Sequence, residues 1–212
     1  MNDKIKEIAN FLICPICYEK LELSDNLFIC PQNHKYPIIN GIPRILPDYN
    51  EFTNQKSFDF KWKHFADIVF KDNVMRWAKD WRLKRYGFYN EEKFKDFLKD
   101  KKIILDAGCG LGRWSAWMAE LNRNAKVFGV EITECIDLGY ERYKDLNNVY
   151  FIQGDITKLP FPNDFFDFIL CEGVIHHTPN PYRTFVHLVS KLKKDSEIAI
   201  YIQKEKSNKR IL

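Results

Sequence analysis

The segment that most limits what this chain can fold into runs from Ile103 to Gly112, where an apolar stretch ends in Leu105-Asp106-Ala107-Gly108-Cys109-Gly110-Leu111-Gly112. Glycines at 108, 110 and 112 let the backbone turn sharply and lie against a ligand at the start of a helix. The flanking patterns predict a strand over Lys102–Asp106, a helix over Arg113–Leu121 and a strand over Lys126–Ile132. Glu131 closes that second strand, where a carboxylate can accept both hydroxyls of a ribose. A helix over Glu91–Lys99 precedes the unit. Further helices are expected over Thr133–Leu146 and Tyr182–Lys191, with strands over Val149–Gln153, Phe166–Cys171 and Glu197–Gln203. This alternation implies an α/β fold, a Rossmann-like parallel sheet with helices on both faces.

Three ligands compete for such a loop. A dinucleotide fingerprint wants Gly or Ala where this chain has Arg113, and a P-loop needs Lys and Ser or Thr after its glycines, which are missing here. Asp106 immediately before the loop suits neither pyrophosphate. It suits a ligand carrying an amino group and a sulfonium, as S-adenosylmethionine does, and methyl transfer becomes the leading chemistry.

The front of the chain carries a second pattern. Of the six cysteines, Cys14 and Cys17 form C-x2-C, and Cys30 with His34 forms C-x3-H after a twelve-residue gap. Two short pairs on tight turns supply the four N and S ligands of tetrahedral zinc. Pro15 and Pro31 stiffen the turns, and Leu21, Leu23, Leu27 and Ile29 suit a hairpin between the pairs. So small a hairpin buries little apolar surface, so metal would supply much of its folding energy. Four protein ligands leave no open position, so the zinc is expected to be structural; the alternative is ordinary reduced thiols. Cys109, Cys135 and Cys171 read as buried small hydrophobes.

Asn40-Gly41 lies between apolar runs and reads as a turn closing the front module. From Phe58 the pattern is helical, with Phe58, Trp62, Phe65 and Val69 on one face and Val74, Trp77 and Trp81 on a second stretch. These aromatic stripes are expected to pack against the main domain, the alternative being a lid formed by Trp62, Trp77 or Tyr86. The expected domains are a zinc ribbon over 1–48, a helical linker or lid over 49–90 and the Rossmann-like domain over 91–212. The net charge of +4 is spread along the chain. Its basic stretches, Arg76–Arg85 and Lys204–Arg210, read as solvated faces, with phosphate contact as the other option. No apolar run approaches the ~20 residues that span a bilayer, and a cytoplasmic home is expected.

Taken together, Ile104–Ser115 (ILDAGCGLGRWS), Val127–Ile132 (VFGVEI), Gly154–Leu170 and Glu172–Phe185 (EGVIHHTPNPYRTF) resemble the class I S-adenosylmethionine-dependent methyltransferases, of the type 11-like group, from about Ile103 to Gln203. The resemblance implies that Gly108, Gly110 and Gly112 lie under the methionine and ribose of the cofactor, with Asp106 toward its amino group. It implies Glu131 on the ribose hydroxyls, Asp155 and Ile156 at the adenine, and Glu172 beside the transferred methyl with His176 and His177 near. Ile13–Leu21, Cys30–Pro47 and Ser57–Phe65 resemble zinc-ribbon methyltransferases. Cys14, Cys17, Cys30 and His34 match the ligand pattern of bacterial large-subunit rRNA guanine-N1 methyltransferases. The His176-His177-Thr178 signature departs from that rRNA family and looks more like enzymes of small molecules, lipids or glycan precursors. Lys193-Lys194-Asp195-Ser196 replaces the Lys-Pro-Gly-Gly turn of many relatives.

Displacement at a sulfonium needs alignment more than chemistry, because the donor is already activated. For a hydroxyl or phenol acceptor a base helps, and His177, ahead of His176, has a suitable intrinsic pKa. The first expectation is a small-molecule, lipid- or glycan-linked acceptor. The alternatives are rRNA or tRNA held by the ribbon and basic helices, or a non-catalytic module that docks a partner. Relatives of this class usually have seven strands and only five are placed here. The sheet is therefore expected to be incomplete on its C-terminal side by about 40–60 residues.

Overall fold

The computed structural model describes residues 3–46 and 68–203. Four short strands come first, β1 (Glu22–Ser24), β2 (Leu27–Ile29), β3 (Lys35–Ile39) and β4 (Ile42–Ile45). Five follow in the main domain: β5 (Ile103–Ala107), β6 (Lys126–Glu131), β7 (Val149–Gly154), β8 (Phe166–Glu172) and β9 (Leu192–Tyr201). The helices are α1 (Asp3–Ile8), α2 (Asp72–Arg85), α3 (Glu91–Leu98), α4 (Arg113–Leu121), α5 (Ile136–Tyr143) and α6 (Pro181–Ser190).

All nine of these strands form one sheet in the order β1-β2-β3-β4-β7-β6-β5-β8-β9. The pairs from β4 onward are parallel, and the first four strands pair antiparallel as hairpins. Parallel pairing demands crossovers, and the helices between β5 and β9 supply them. Chain order reverses on either side of β5, and such a switch point opens a crevice at the carboxyl ends of the strands. The front hairpins do not stand apart. β4 hydrogen-bonds to β7, with Arg44 opposite Gln153 and Ile45 opposite Gly154.

Successive residues of the central strands part to opposite faces, as a period of two requires. Leu105, Phe128 and Ile152 face one core, which they share with Ile5, Ile8, Leu12, Phe28 and Leu188. Ile104, Val127 and Phe151 face the other, with Phe94, Leu98, Trp114, Met118 and Ile136 from α3, α4 and α5. The expected α/β sheet with helices on both faces is therefore present, and the front module covers much of one face. Phe128 centres that contact, with the rings of Phe11, Tyr150 and Phe161 at 6.1, 5.2 and 5.1 Å.

Two elements differ in extent from their sequence patterns. The helix expected over Thr133–Leu146 is confined to Ile136–Tyr143, because the Glu131 carboxylate accepts from the Thr133 N–H and hydroxyl and holds a turn there. β9 begins at Leu192, and Lys193-Lys194-Asp195-Ser196 forms an irregular bulge in it rather than a turn. Leu192 pairs with Phe166 but Glu197 with Phe168, and Asp195 has φ +61°. On α2 the buried residues are Ala78 and Leu83. Trp77, read as core, is 66% exposed and stacks on Trp81. Phe58, Trp62, Phe65 and His64 lie outside the described residues.

Gly112 precedes α4 at φ +69°, and a Cβ there would meet the Phe151 ring at 2.5 Å. Left-handed strain and overpacking act together at this position, so Gly112→Ala should destabilise by about 2–4 kcal/mol. Urea unfolding should show a lower midpoint at unchanged slope.

Candidate functional site

A cleft of about 380 Å³ opens at the carboxyl ends of β5, β6 and β8. Its floor is the glycine loop. Gly108, Gly110 and Gly112 have φ of +78°, +54° and +69°, and the N–H groups of Gly108 and Cys109 both donate to the Val130 carbonyl, at 2.8 and 3.0 Å. A Cβ on Gly108 would run into the Val174 side chain, so glycine lets the loop pass beneath the β8 exit.

Two acids bracket this loop. Asp106, at the end of β5, is buried and accepts from the Ser115 hydroxyl at 2.7 Å. Burial pushes its carboxyl up to about 7, against the Ser115 hydrogen bond that favours the charged form. Glu131 is also buried. Its Oε2 accepts from the Gly110 N–H at 3.0 Å, and its Oε1 from Thr133. Burial raises Glu131 as well, opposed by these same donors. Three of about four acceptor positions on this carboxylate are filled by protein, which fixes its orientation and joins the loop to β6.

The rim is built from β7, β8 and α2. Asp155 caps a 3-10 turn by accepting from the Thr157 N–H at 2.8 Å, with Ile156 buried behind it. Glu172 ends β8 and pairs with the Arg82 Nε of α2. The Arg82 guanidinium lies 3.5 Å over the Trp114 ring. Burial holds Glu172 above the usual carboxylate range despite Arg82, and it lowers Arg82 despite Glu172. Arg113 lies in the same wall and donates to the Val69 carbonyl at 3.1 Å. Burial and the charge of Arg82 bring it down to about 10.

Of the two histidines, His177 lines the cleft and His176 does not. Their rings lie 4.0 Å apart, and the His176 Nδ1 is buried without a hydrogen-bond partner. His187, on α6, is a packing residue: its Nε2 accepts from the Leu159 N–H at 3.0 Å, and burial lowers it to about 4. The structure thus brings Asp106, Gly108, Gly110, Glu131, Asp155, Ile156, Glu172 and His177 into one cleft, whereas Gly112 is not part of its lining and packs against the Phe151 ring. Sequence reasoning missed Arg82, Arg113, Trp114 and Thr133. Arg82 sat within a basic run that reads as solvated, and no spacing signal marks it. Neither Trp77 nor Tyr86 roofs the cleft.

Cys14, Cys17, Cys30 and His34 converge as their spacing implied, with all four donor atoms within 4.8 Å of one another. The Cys30 Sγ is 3.6 Å from the Cys17 Sγ and 3.2 Å from the His34 Nδ1, and the Cys14 Sγ is 3.5 Å from that nitrogen. The Tyr36 hydroxyl lies 3.1 Å from the Cys14 Sγ, and the His34 N–H donates to the Cys30 Sγ at 3.3 Å. Cys109, Cys135 and Cys171 are buried away from this cluster.

Residues 98–209 match a family model described as a methyltransferase domain. The chain belongs to that family. The resemblance to the S-adenosylmethionine-dependent methyltransferases is thereby borne out. A tRNA U34 carboxymethyltransferase of Campylobacter fetus is 28% identical over 183 residues, covering 74% of this chain and 64% of that enzyme. A demethylmenaquinone methyltransferase of Listeria welshimeri is 31% identical over 100 residues, 45% of this chain and 42% of that enzyme. The chain thus spans less than two thirds of the length of these relatives. The PH0226 protein of Pyrococcus horikoshii superposes with a TM-score of 0.52 at 24% identity, over 65% of this chain and 57% of that one, a likeness of fold. Among the described residues no helix is long and apolar enough to cross a membrane.

Asp106 supplies a pH test. Its folded carboxyl titrates near 7, against about 3.9 in an unfolded chain. Between these values the folded state holds a proton that the unfolded state releases, so the contribution of Asp106 to stability falls as pH rises and levels off above 7. The stability of wild type relative to Asp106→Asn should drop by about 3 kcal/mol from pH 4 to pH 7.5, read from paired urea melts; a flat difference would refute the buried titration.

Proposed function

We propose that this chain binds S-adenosylmethionine in the cleft and transfers its methyl group to a small-molecule, lipid- or glycan-linked acceptor in the cytoplasm. The observation that carries the donor is the pair of buried acids on either side of the glycine loop. Among the described residues, Asp106, Glu131, Asp155 and Glu172 face two guanidiniums, those of Arg82 and Arg113. The cleft holds an excess of negative charge, and a cationic ligand relieves it. A sulfonium supplies a methyl group that is already activated for in-line displacement. The protein's own work is to hold and orient: Asp106 takes the amino group, Glu131 meets the ribose hydroxyls through the one acceptor position that Gly110 and Thr133 leave open, and Asp155 and Ile156 take the adenine edge and face. His177, which lines the same cleft as Glu172, would accept a proton from a hydroxyl acceptor, with the His176 ring 4.0 Å from it.

The same reading puts a structural zinc ion in the front module. A tetrahedron with Zn–S of about 2.3 Å and Zn–N of about 2.0 Å has edges of roughly 3.5–3.8 Å; three of the six separations here, 3.2, 3.5 and 3.6 Å, lie near those edges, and all six are within 4.8 Å. Cys14, Cys17, Cys30 and His34 would fill all four positions. Tyr36 and the His34 N–H would orient the sulfur ligands from outside.

An RNA acceptor is the second reading, favoured by the tRNA enzyme of Campylobacter. A match over 74% of this chain cannot fit within residues 98–209 and has to extend forward past α2.

Calorimetric titration should show S-adenosylmethionine binding that weakens ten-fold or more on Asp106→Ala and on Glu131→Ala, as loss of a charged hydrogen bond requires. Unchanged affinity in both variants would end the donor assignment. Labelled methyl supplied to a whole-cell extract and followed into RNA, protein and small-molecule fractions separates the acceptors. Label in RNA, with binding that falls steeply with salt, would replace the first reading by the second. Elemental analysis should find one zinc per chain, lost in Cys17→Ser with a lowered melting temperature.

A further inference from the structure

β4 carries one charged side chain into the interior. Arg44 is 3% exposed, and its Nη1 and Nη2 donate to the two carboxylate oxygens of Asp137 at 2.9 and 2.6 Å. Nη1 also donates to Gln153 Oε1 at 3.0 Å, and Nη2 to the Ile39 carbonyl at 3.2 Å. A guanidinium has donors only, so the Gln153 atom that faces it has to be the carbonyl oxygen. This turns the Gln153 amide nitrogen onto the Ile132 carbonyl, at 2.9 Å. Ile132 is a wall of the cleft, and Gln153 lies opposite Glu131 in the β6–β7 register.

Asp137 stands in the first turn of α5, and α5 lies directly on the glycine loop. A Cβ added to Gly139 would stand 2.8 Å from the Leu111 carbonyl oxygen. The chain just beyond the far end of α5 is also held from the front module: Lys4 Nζ donates to the carbonyls of Lys144 and Leu146 at 2.9 and 2.5 Å. The module therefore grips both flanks of α5 and, through Gln153, the Ile132 turn. None of Lys4, Arg44 and Asp137 lines the cleft.

We propose that Arg44 is a positioning residue for the adenosine side of the cleft, through which metal bound in the front module sets cofactor affinity. This rests on the donor and zinc readings above. The links are continuous along the chain. His34 precedes β3, β3 pairs with β4, β4 carries Arg44, and Arg44 orders Gln153, Asp137 and with them Ile132 and the floor of the loop. A buried ion pair of this kind is poor evidence for stability, since apolar residues often serve as well. Its worth here is orientation, which ligand binding reads directly.

The test is calorimetric titration of the full-length, metal-loaded chain with S-adenosylhomocysteine and with methylthioadenosine, well below each variant's melting temperature. Arg44→Met should weaken both ligands ten-fold or more, Asp137→Asn several-fold, and Arg44→Lys less than Arg44→Met. Methylthioadenosine lacks the amino-acid head, so an equal loss for both ligands, at a binding stoichiometry that stays near one and so shows a fully folded sample, locates the defect at the adenosine end. Unchanged affinity in folded Arg44→Met and Asp137→Asn overturns the proposal. Should Arg44→Met fail to fold, Asp137→Asn decides. Chelation should weaken S-adenosylhomocysteine binding five-fold or more, reversed by added zinc; full affinity after metal loss overturns the metal linkage. Wild type that binds neither ligand would instead defeat the donor reading. A purified chain without metal would defeat the zinc reading, leaving the Arg44 variants to decide the rest.

Discussion

A parallel sheet has to be buried on both faces, and in this chain that requirement ties everything else together. α3, α4 and α5 cover one face. Much of the other is closed by the front module, whose Phe11 packs on Phe128 while Glu7 takes the Tyr150 hydroxyl and the Lys126 ammonium at the rim. Phe128 is fully buried at the middle of β6. Exposing such a ring costs about 1.5–3 kcal/mol, so the module is bound into the core. Its strand β4 also takes up the open edge of β7, where unpaired backbone would otherwise invite association.

That placement gives the cleft its character. Asp106 and Glu131 are buried because the β5 and β6 ends are enclosed by the loop, Thr133 and Ser115. Raised carboxyls such as Asp106 mark sites where a cation has been allowed for but not built in. α2 supplies partial compensation from outside the sheet, through Arg82 on Glu172 and Trp114. An arginine placed flat on an aromatic ring keeps its charge with little water around it, so the guanidinium can sit in the wall without flooding the cleft.

How much of this could be read from sequence follows from the range of each interaction. The glycine loop, its entry Asp106 and exit Glu131 are local signals, since strand, turn and helix each impose their own residue types within a few positions. The convergence of Cys14, Cys17, Cys30 and His34 was legible for the same reason: tetrahedral geometry restricts spacing. The joining of β4 to β7 was not legible, because Arg44–Gln153 and Ile45–Gly154 pair residues more than a hundred positions apart and neither strand announces its partner. The bulge in β9 escaped for a subtler reason. Lys193-Lys194-Asp195-Ser196 has turn-like composition, and only the register against β8 shows that it stays within the strand.

The Trp77–Trp81 face of α2 shows the same limit from the other side. Apolar residues at helical spacing predict burial, yet the inward residues are Ala78, Leu83 and Arg82, while Trp77 is outermost. Arg85 lies between Trp81 and Tyr201, with its guanidinium 3.5 and 3.6 Å from their rings, and so fastens α2 to the end of β9. Glu172 is the β8 partner of that same Tyr201. Two arginines one turn apart, Arg82 and Arg85, therefore clamp α2 across the paired ends of β8 and β9, one by charge and one by stacking. Under the proposed function, an acceptor approaching Glu172 and His177 would meet this helix at the cleft wall, where Arg82 lies, and α2 would bear on acceptor choice more directly than the front module.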